Sequence, residues 1–114
     1  MNKPYQYHFR PGYHSDKLLI DIFLGAERET FNNDFLHSIA SLKPHMIEVL
    51  DLWMNDEILL HFDSEAGKFS LSKDVWGLAF VTADENQDGL KKIDLILQQS
   101  DLFEKIEVDF DRYK

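Results

Sequence analysis

Ser15-Asp16-Lys17-Leu18-Leu19-Ile20-Asp21-Ile22-Phe23-Leu24 is the stretch on which the fold turns, because it reads in two ways. On a helical projection Lys17, Asp21 and Arg28 fall on one side while Leu18, Leu19, Ile22 and Phe23 cover the rest, with Ser15 or Asp16 available as N-cap. As a strand, Leu18, Ile20, Ile22 and Leu24 alternate with Leu19, Asp21 and Phe23, a poorer pattern because the second face is mostly apolar too. The helical reading is adopted for residues 16–29.

Upstream, Tyr5, Tyr7 and Phe9 alternate with Gln6 and His8 ahead of the turn signal Arg10-Pro11-Gly12, which predicts a short aromatic strand packed as a lid on the core. Downstream, Phe31, Phe35, Ile39 and Leu42 repeat at helical spacing until Lys43-Pro44 ends the run. Two N-terminal helices are therefore expected.

From Met46 onward the pattern turns to strands. Met46 to Met54 itself is ambiguous: Glu48, Asp51 and Asn55 suit a helix, whereas the neighbouring meander favours a strand ending at Asn55-Asp56. Ile58, Leu60 and Phe62 alternate cleanly, as do Phe69 and Leu71 after the turn Ser64-Glu65-Ala66-Gly67. Val75 to Thr82 is apolar on both faces and predicts a central strand that buries Trp76. Thr82-Ala83-Asp84-Glu85 has the form of a capping box before a helix with the stripe Leu90, Ile93, Ile96 and Leu97, leaving Lys91, Lys92, Asp94 and Gln98 outside. Ile106, Val108 and Phe110 predict a closing strand. The expected fold class is a single α+β domain over residues 1–114: an antiparallel β-meander with N-terminal helices packed on it and a C-terminal helix-strand.

Composition narrows the function. The chain has 114 residues, 44% hydrophobic and 13% aromatic, enough for one packed core. It has no cysteine, which excludes disulfides, a thiol nucleophile and a Cys-based zinc site. With 12 Lys plus Arg against 21 Asp plus Glu the formal charge is −9, the wrong sign for a nucleic-acid binder. No apolar run approaches the length of a membrane helix, and Met1 to His8 lacks the pattern of a secretory signal, so a cytoplasmic protein is expected.

No motif names a reaction. Asp84-Glu85-Asn86-Gln87-Asp88-Gly89 matches the first half of a calcium loop, but Leu95 stands where the bidentate glutamate belongs, and capping by Asp84 or Asp88 accounts for these residue types. The five histidines never take a metal-pair spacing. His61 and Asp63 share a strand face as a conceivable acid-base pair, without a nucleophile beside them. Neither a cofactor nor a metal is expected.

The charge map is more informative. Residues 1–45 hold five acids and five bases; the excess lies wholly beyond them, and Met46 to Gly67 carries six acids without one Lys or Arg. Glu48, Asp51, Asp56, Glu57, Asp63 and Glu65 thus form a field of one sign, either a solvated face or a surface that steers a basic partner. Trp53, set among these acids, is the better interface anchor, and Trp76 the better core residue.

Phe69-Ser70-Leu71-Ser72-Lys73-Asp74-Val75-Trp76-Gly77, the Leu90 to Leu97 helix and the ending Phe103-Glu104-Lys105-Ile106-Glu107-Val108-Asp109-Phe110 resemble parts of small bacterial immunity proteins from toxin-immunity loci, including contact-dependent growth inhibition systems. The likeness covers about the C-terminal half and rests on size, acidity and α+β pattern. It implies a non-enzymatic protein that blocks a cognate toxin domain, such as a basic nuclease. A regulatory or adaptor domain and a metal-binding module are the alternatives.

Overall fold

A computed structural model describes residues 3–52, 54 and 56–113. Its strands are β1 (Tyr5–Pro11), β2 (Leu18–Leu24), β3 (His45–Leu52), β4 (Glu57–Asp63), β5 (Phe69–Asp74), β6 (Ala79–Thr82) and β7 (Phe103–Lys105), and its helices α1 (Phe31–Ser38) and α2 (Gln87–Gln98). Among the described residues the strands form one mixed sheet in the order β3-β4-β5-β6-β2-β1-β7, antiparallel throughout except for the parallel pair β1-β7. The radius of gyration, 13.3 Å, matches the value of about 13 Å for one compact domain of this size.

The deciding stretch is β2, not a helix, and this overturns the picture of two N-terminal helices on a meander. β2 lies between β6 and β1, so both of its faces are used. Ile20 and Ile22 enter the core, while the outward Asp21 is matched by Arg10 of the neighbouring strand at 3.1 Å. An apolar second face is what an interior strand needs. Nor is the aromatic N-terminus a lid: β1 is an inner strand, and Tyr5 and Tyr7 are fully buried.

One face of the sheet carries Tyr5, Tyr7, Ile20, Ile22, Leu60, Phe62, Phe69, Leu71, Ala79, Val81 and Phe103, and these form a single core with Phe31, Phe35 and Ile39 of the α1 region and Leu90, Ile93 and Leu97 of α2. The α1 stripe is as expected, although the α-helix stops at Ser38 and a 3-10 turn, Ala40–Leu42, carries the chain to Lys43, whose left-handed φ of 52° ends it.

Two further expectations fail. Trp76 is not core but 72% exposed, because β6 begins only at Ala79. The Asp74 carboxylate accepts the backbone N–H groups of Trp76 and Leu78 at 2.9 and 3.0 Å, and Gly77 supplies a φ of 82°, so the segment forms a hairpin loop. The closing strand is Phe103–Lys105 rather than Ile106 to Phe110, and the last residues end in a 3-10 turn, Phe110–Tyr113.

Inside the core, the Tyr7 hydroxyl donates to Asp94 Oδ1 at 2.8 Å. Burial and the Asp94 carboxylate both push this phenol well above the ordinary tyrosine range. Below about pH 10 the folded and unfolded chains both hold the proton; above it the unfolded chain releases it first, so stability falls as pH rises. Urea denaturation should show up to about 1.4 kcal/mol of loss per pH unit from this group above pH 10. Tyr7→Phe is expected to flatten that slope, and an unchanged slope would refute the assignment.

Candidate docking site on the acidic sheet edge

The residues predicted to bind a partner separate into groups. Strand β3 and its hairpin partner β4 stand in the register Val49↔Leu60, Leu50↔Leu59, Asp51↔Ile58 and Leu52↔Glu57, and β4 meets β5 at Glu57↔Asp74. This register gathers Asp51, Asp56 and Glu57 at one end of the sheet, around a cavity of about 360 Å³ that Asn32, Ile58, Leu60, Lys73, Asp74 and Val75 complete. Asp51 shares the sheet face of Ile58, Leu60 and Lys73, whose ammonium lies over the Phe31 ring at 5.4 Å, while Glu57 and Asp74, paired with each other, alternate to the opposite face and border the cavity at the sheet end.

The local backbone explains the gathering. Asp56 sits at φ 53° in the tight β3-β4 turn, a conformation that Asp tolerates better than most residues. Its carbonyl accepts the N–H of Val75 at 3.2 Å, which ties this turn to the β5-β6 loop. Asp74, which the charge map missed, enters through cross-strand register. Glu57 and Asp74 stand directly opposite, an arrangement that is unfavourable for like charges.

The other predicted residues do not join the cavity. Trp53 lies outside the described residues. Glu65 pairs with Lys43 at 3.4 Å on the surface, and Asp63 accepts the N–H of Ser64 at 2.9 Å at the end of β4. Glu48 belongs to the opposite sheet face, in the row Glu48↔His61↔Ser70↔Thr82 that borders a second cavity of about 820 Å³.

In that row His61 Nδ1 is 2.6 Å from Ser70 Oγ, while Glu48 Oε1 is 3.9 Å from His61 Nε2. The imidazole thus engages Ser70 and not Asp63, which corrects the proposed acid-base pair. Serine, histidine and an acid stand in the order of an acyl-transfer triad, but the acid is beyond hydrogen-bond reach.

The calcium-like run is built into the scaffold. Asn86, not Asp84 or Asp88, caps α2 by accepting the N–H of Gly89 at 3.2 Å, and its amide donates to the carbonyls of Ala66 and Lys68 at 2.7 and 3.0 Å. Gly89 is required here, since a Cβ would stand 2.3 Å from the Ala66 carbonyl oxygen. Among the described residues no three His, Asp or Glu side chains gather in a metal-binding arrangement.

No helix among the described residues is long and apolar enough to cross a membrane. No protein-family model, curated protein or solved structure matches the chain.

Proposed function

We propose that this chain is an immunity-type inhibitor, acting in the cytoplasm, which binds a basic toxin domain through the β3-β4 end of its sheet and occludes the toxin's active site. The observation that carries this reading is the clustering of Asp51, Asp56, Glu57 and Asp74 at one end of the sheet, on both of its faces, beside a cavity with the apolar walls Ile58, Leu60 and Val75. A lysine or arginine side chain of a partner fits such a place: carboxylates attract its head and the apolar wall packs its stem. The absence of any Lys or Arg from Met46 to Gly67 leaves the field around it negative.

The test is the triple change Asp51→Asn, Asp56→Asn and Glu57→Gln, which preserves shape and the left-handed turn at Asp56. Association with the product of the adjacent reading frame should slow about 10- to 100-fold at low salt and lose most of its salt dependence. An unchanged on-rate would reject the acidic site, and failure of the unaltered protein to bind that product would reject the immunity role.

A further inference from the structure

The outer edge of β3 suggests how such a partner binds. β3 is a terminal strand of the sheet, hydrogen-bonded to β4 on one side, and among the described residues nothing pairs with its other side. Proteins blunt such edges with shortness, charged residues, lysine above all, proline, β-bulges or covering segments. The opposite edge follows that practice: β7 is three residues long and carries Lys105. β3 has a bulge between Met46 and Glu48 and the acids Glu48 and Asp51, but from Glu48 to Leu52 it keeps an unbroken register and it carries neither lysine nor proline, so a basic strand is not turned away.

Its side chains are also unusual. Met46, Ile47, Val49 and Leu50 are 37–54% exposed. Val49 stands with Leu60 on the core side of the sheet, and Leu50 with Leu59 on the opposite side, so apolar surface is open on both faces of one edge. A helix or a flat patch covers one face; an added strand covers both. The only charges on β3 are Glu48 and Asp51, and Asp56 and Glu57 follow in the turn and next strand. A second copy would bring one acidic edge against another, whereas a basic segment complements it.

We infer that β3 is a strand-addition site: an extended basic segment of the partner pairs with its free backbone as an eighth strand, with apolar residues against Val49 and Leu50 and cations toward Glu48 and Asp51. The inference rests on the reading that the partner is basic, and adds the binding mode.

The probes are a peptide of β3's length alternating pairs of lysine with pairs of valine, in the repeat Lys-Val-Val-Lys, which sets a cation and an apolar residue on each face to match Glu48 to Asp51, and a lysine homopolymer of the same length, followed by titration and by hydrogen exchange of the β3 amides. The alternating peptide should bind more tightly and slow exchange across Met46 to Asp51. Successive residues of an antiparallel strand point their N–H groups alternately toward and away from the partner strand, so one of Val49→Pro and Leu50→Pro breaks a bond to β4 and the other removes only an outward donor. The variant that keeps its fold should bind the alternating peptide about tenfold more weakly, the loss of one backbone hydrogen bond. If it binds as before, strand addition is wrong. Equal binding of the homopolymer without protection of β3 also overturns strand addition and leaves the acidic site standing. Binding of neither peptide overturns both, and a dimer in light scattering with β3 protected gives the edge to a second copy and overturns the proposal.

Discussion

Arg10→Met is expected to destabilise the protein by about 3–5 kcal/mol, the usual effect of removing one partner from a buried ion pair. Arg10 Nε meets Asp21 Oδ2 at 3.1 Å, and the two side chains are 8% and 12% exposed. The guanidinium is stacked 4.5 Å from the Tyr113 ring centre and 5.3 Å from that of Tyr13, and Nη1 donates to the Pro11 carbonyl at 2.9 Å. Asp21 Oδ1 has no hydrogen-bond partner, so the carboxylate relies on Arg10. Without it a charge is stranded beneath the C-terminal residues. Lysine would restore the charge but not the planar stacking, and Arg10→Lys should recover only part of the loss. The double variant Arg10→Met/Asp21→Leu should recover most of it, because a buried pair as a unit is worth little more than an apolar pair of its size. Urea denaturation of the three variants checks this; a loss below about 1 kcal/mol for Arg10→Met would mean that Asp21 is solvated.

The same aspartate explains where the sequence misleads. Helical projection groups Asp21 with Lys17 and Arg28 as a solvent stripe, since a lone acid among leucines and isoleucines reads as surface. Its partner is on another strand, and periodicity within one segment does not contain that information. Where an element owes its pattern to one buried face, as in β4, β5, α1 and α2, the pattern is readable in the sequence. Strand β3 is legible only through its neighbours, because from His45 to Asp51 it is exposed on both faces and shows no dominant period. Trp76 misleads because the Asp74 carboxylate, by accepting two loop amides, bends the chain before the strand begins. Charge alternation after Ile106 has the form of a strand, yet the register β1-β7 ends at Tyr7↔Lys105. For the site, the linear charge map brings Asp51, Asp56 and Glu57 into view because they adjoin one hairpin turn. It does not contain Asp74, which cross-strand register sets opposite Glu57, and it contains Asp63 and Glu65, which lie away from the cavity with local partners of their own.

Asp94→Ala is expected to cost a further class of buried pair, again about 3–5 kcal/mol. A helical stripe leaves Asp94 outside, but its residue is only 4% exposed and its carboxylate accepts from Tyr7 Oη at 2.8 Å, Lys105 Nζ at 3.0 Å and Gln98 Nε2 at 3.1 Å. These bonds join β1, α2 and β7. Removing them leaves Lys105 with Glu107 at 3.9 Å, on the surface, where a pair contributes little. Because β7 is short, the damage should concentrate there: exchange of the amides from Phe103 to Tyr113 should accelerate more than that of β4 and β5. Asp94→Leu combined with Lys105→Met and Tyr7→Phe should regain much of the loss. The junction lies at the opposite end of the strand order from β3, so it is separated from the proposed docking edge. A folded Asp94 variant should bind a basic partner with unchanged affinity per folded molecule, whereas the Asp51, Asp56 and Glu57 variant should lose affinity with no loss of stability, since Glu57→Gln also relieves the repulsion across to Asp74. If both variants lost binding in proportion to stability, the acidic edge would be a consequence of solubility and not a docking surface.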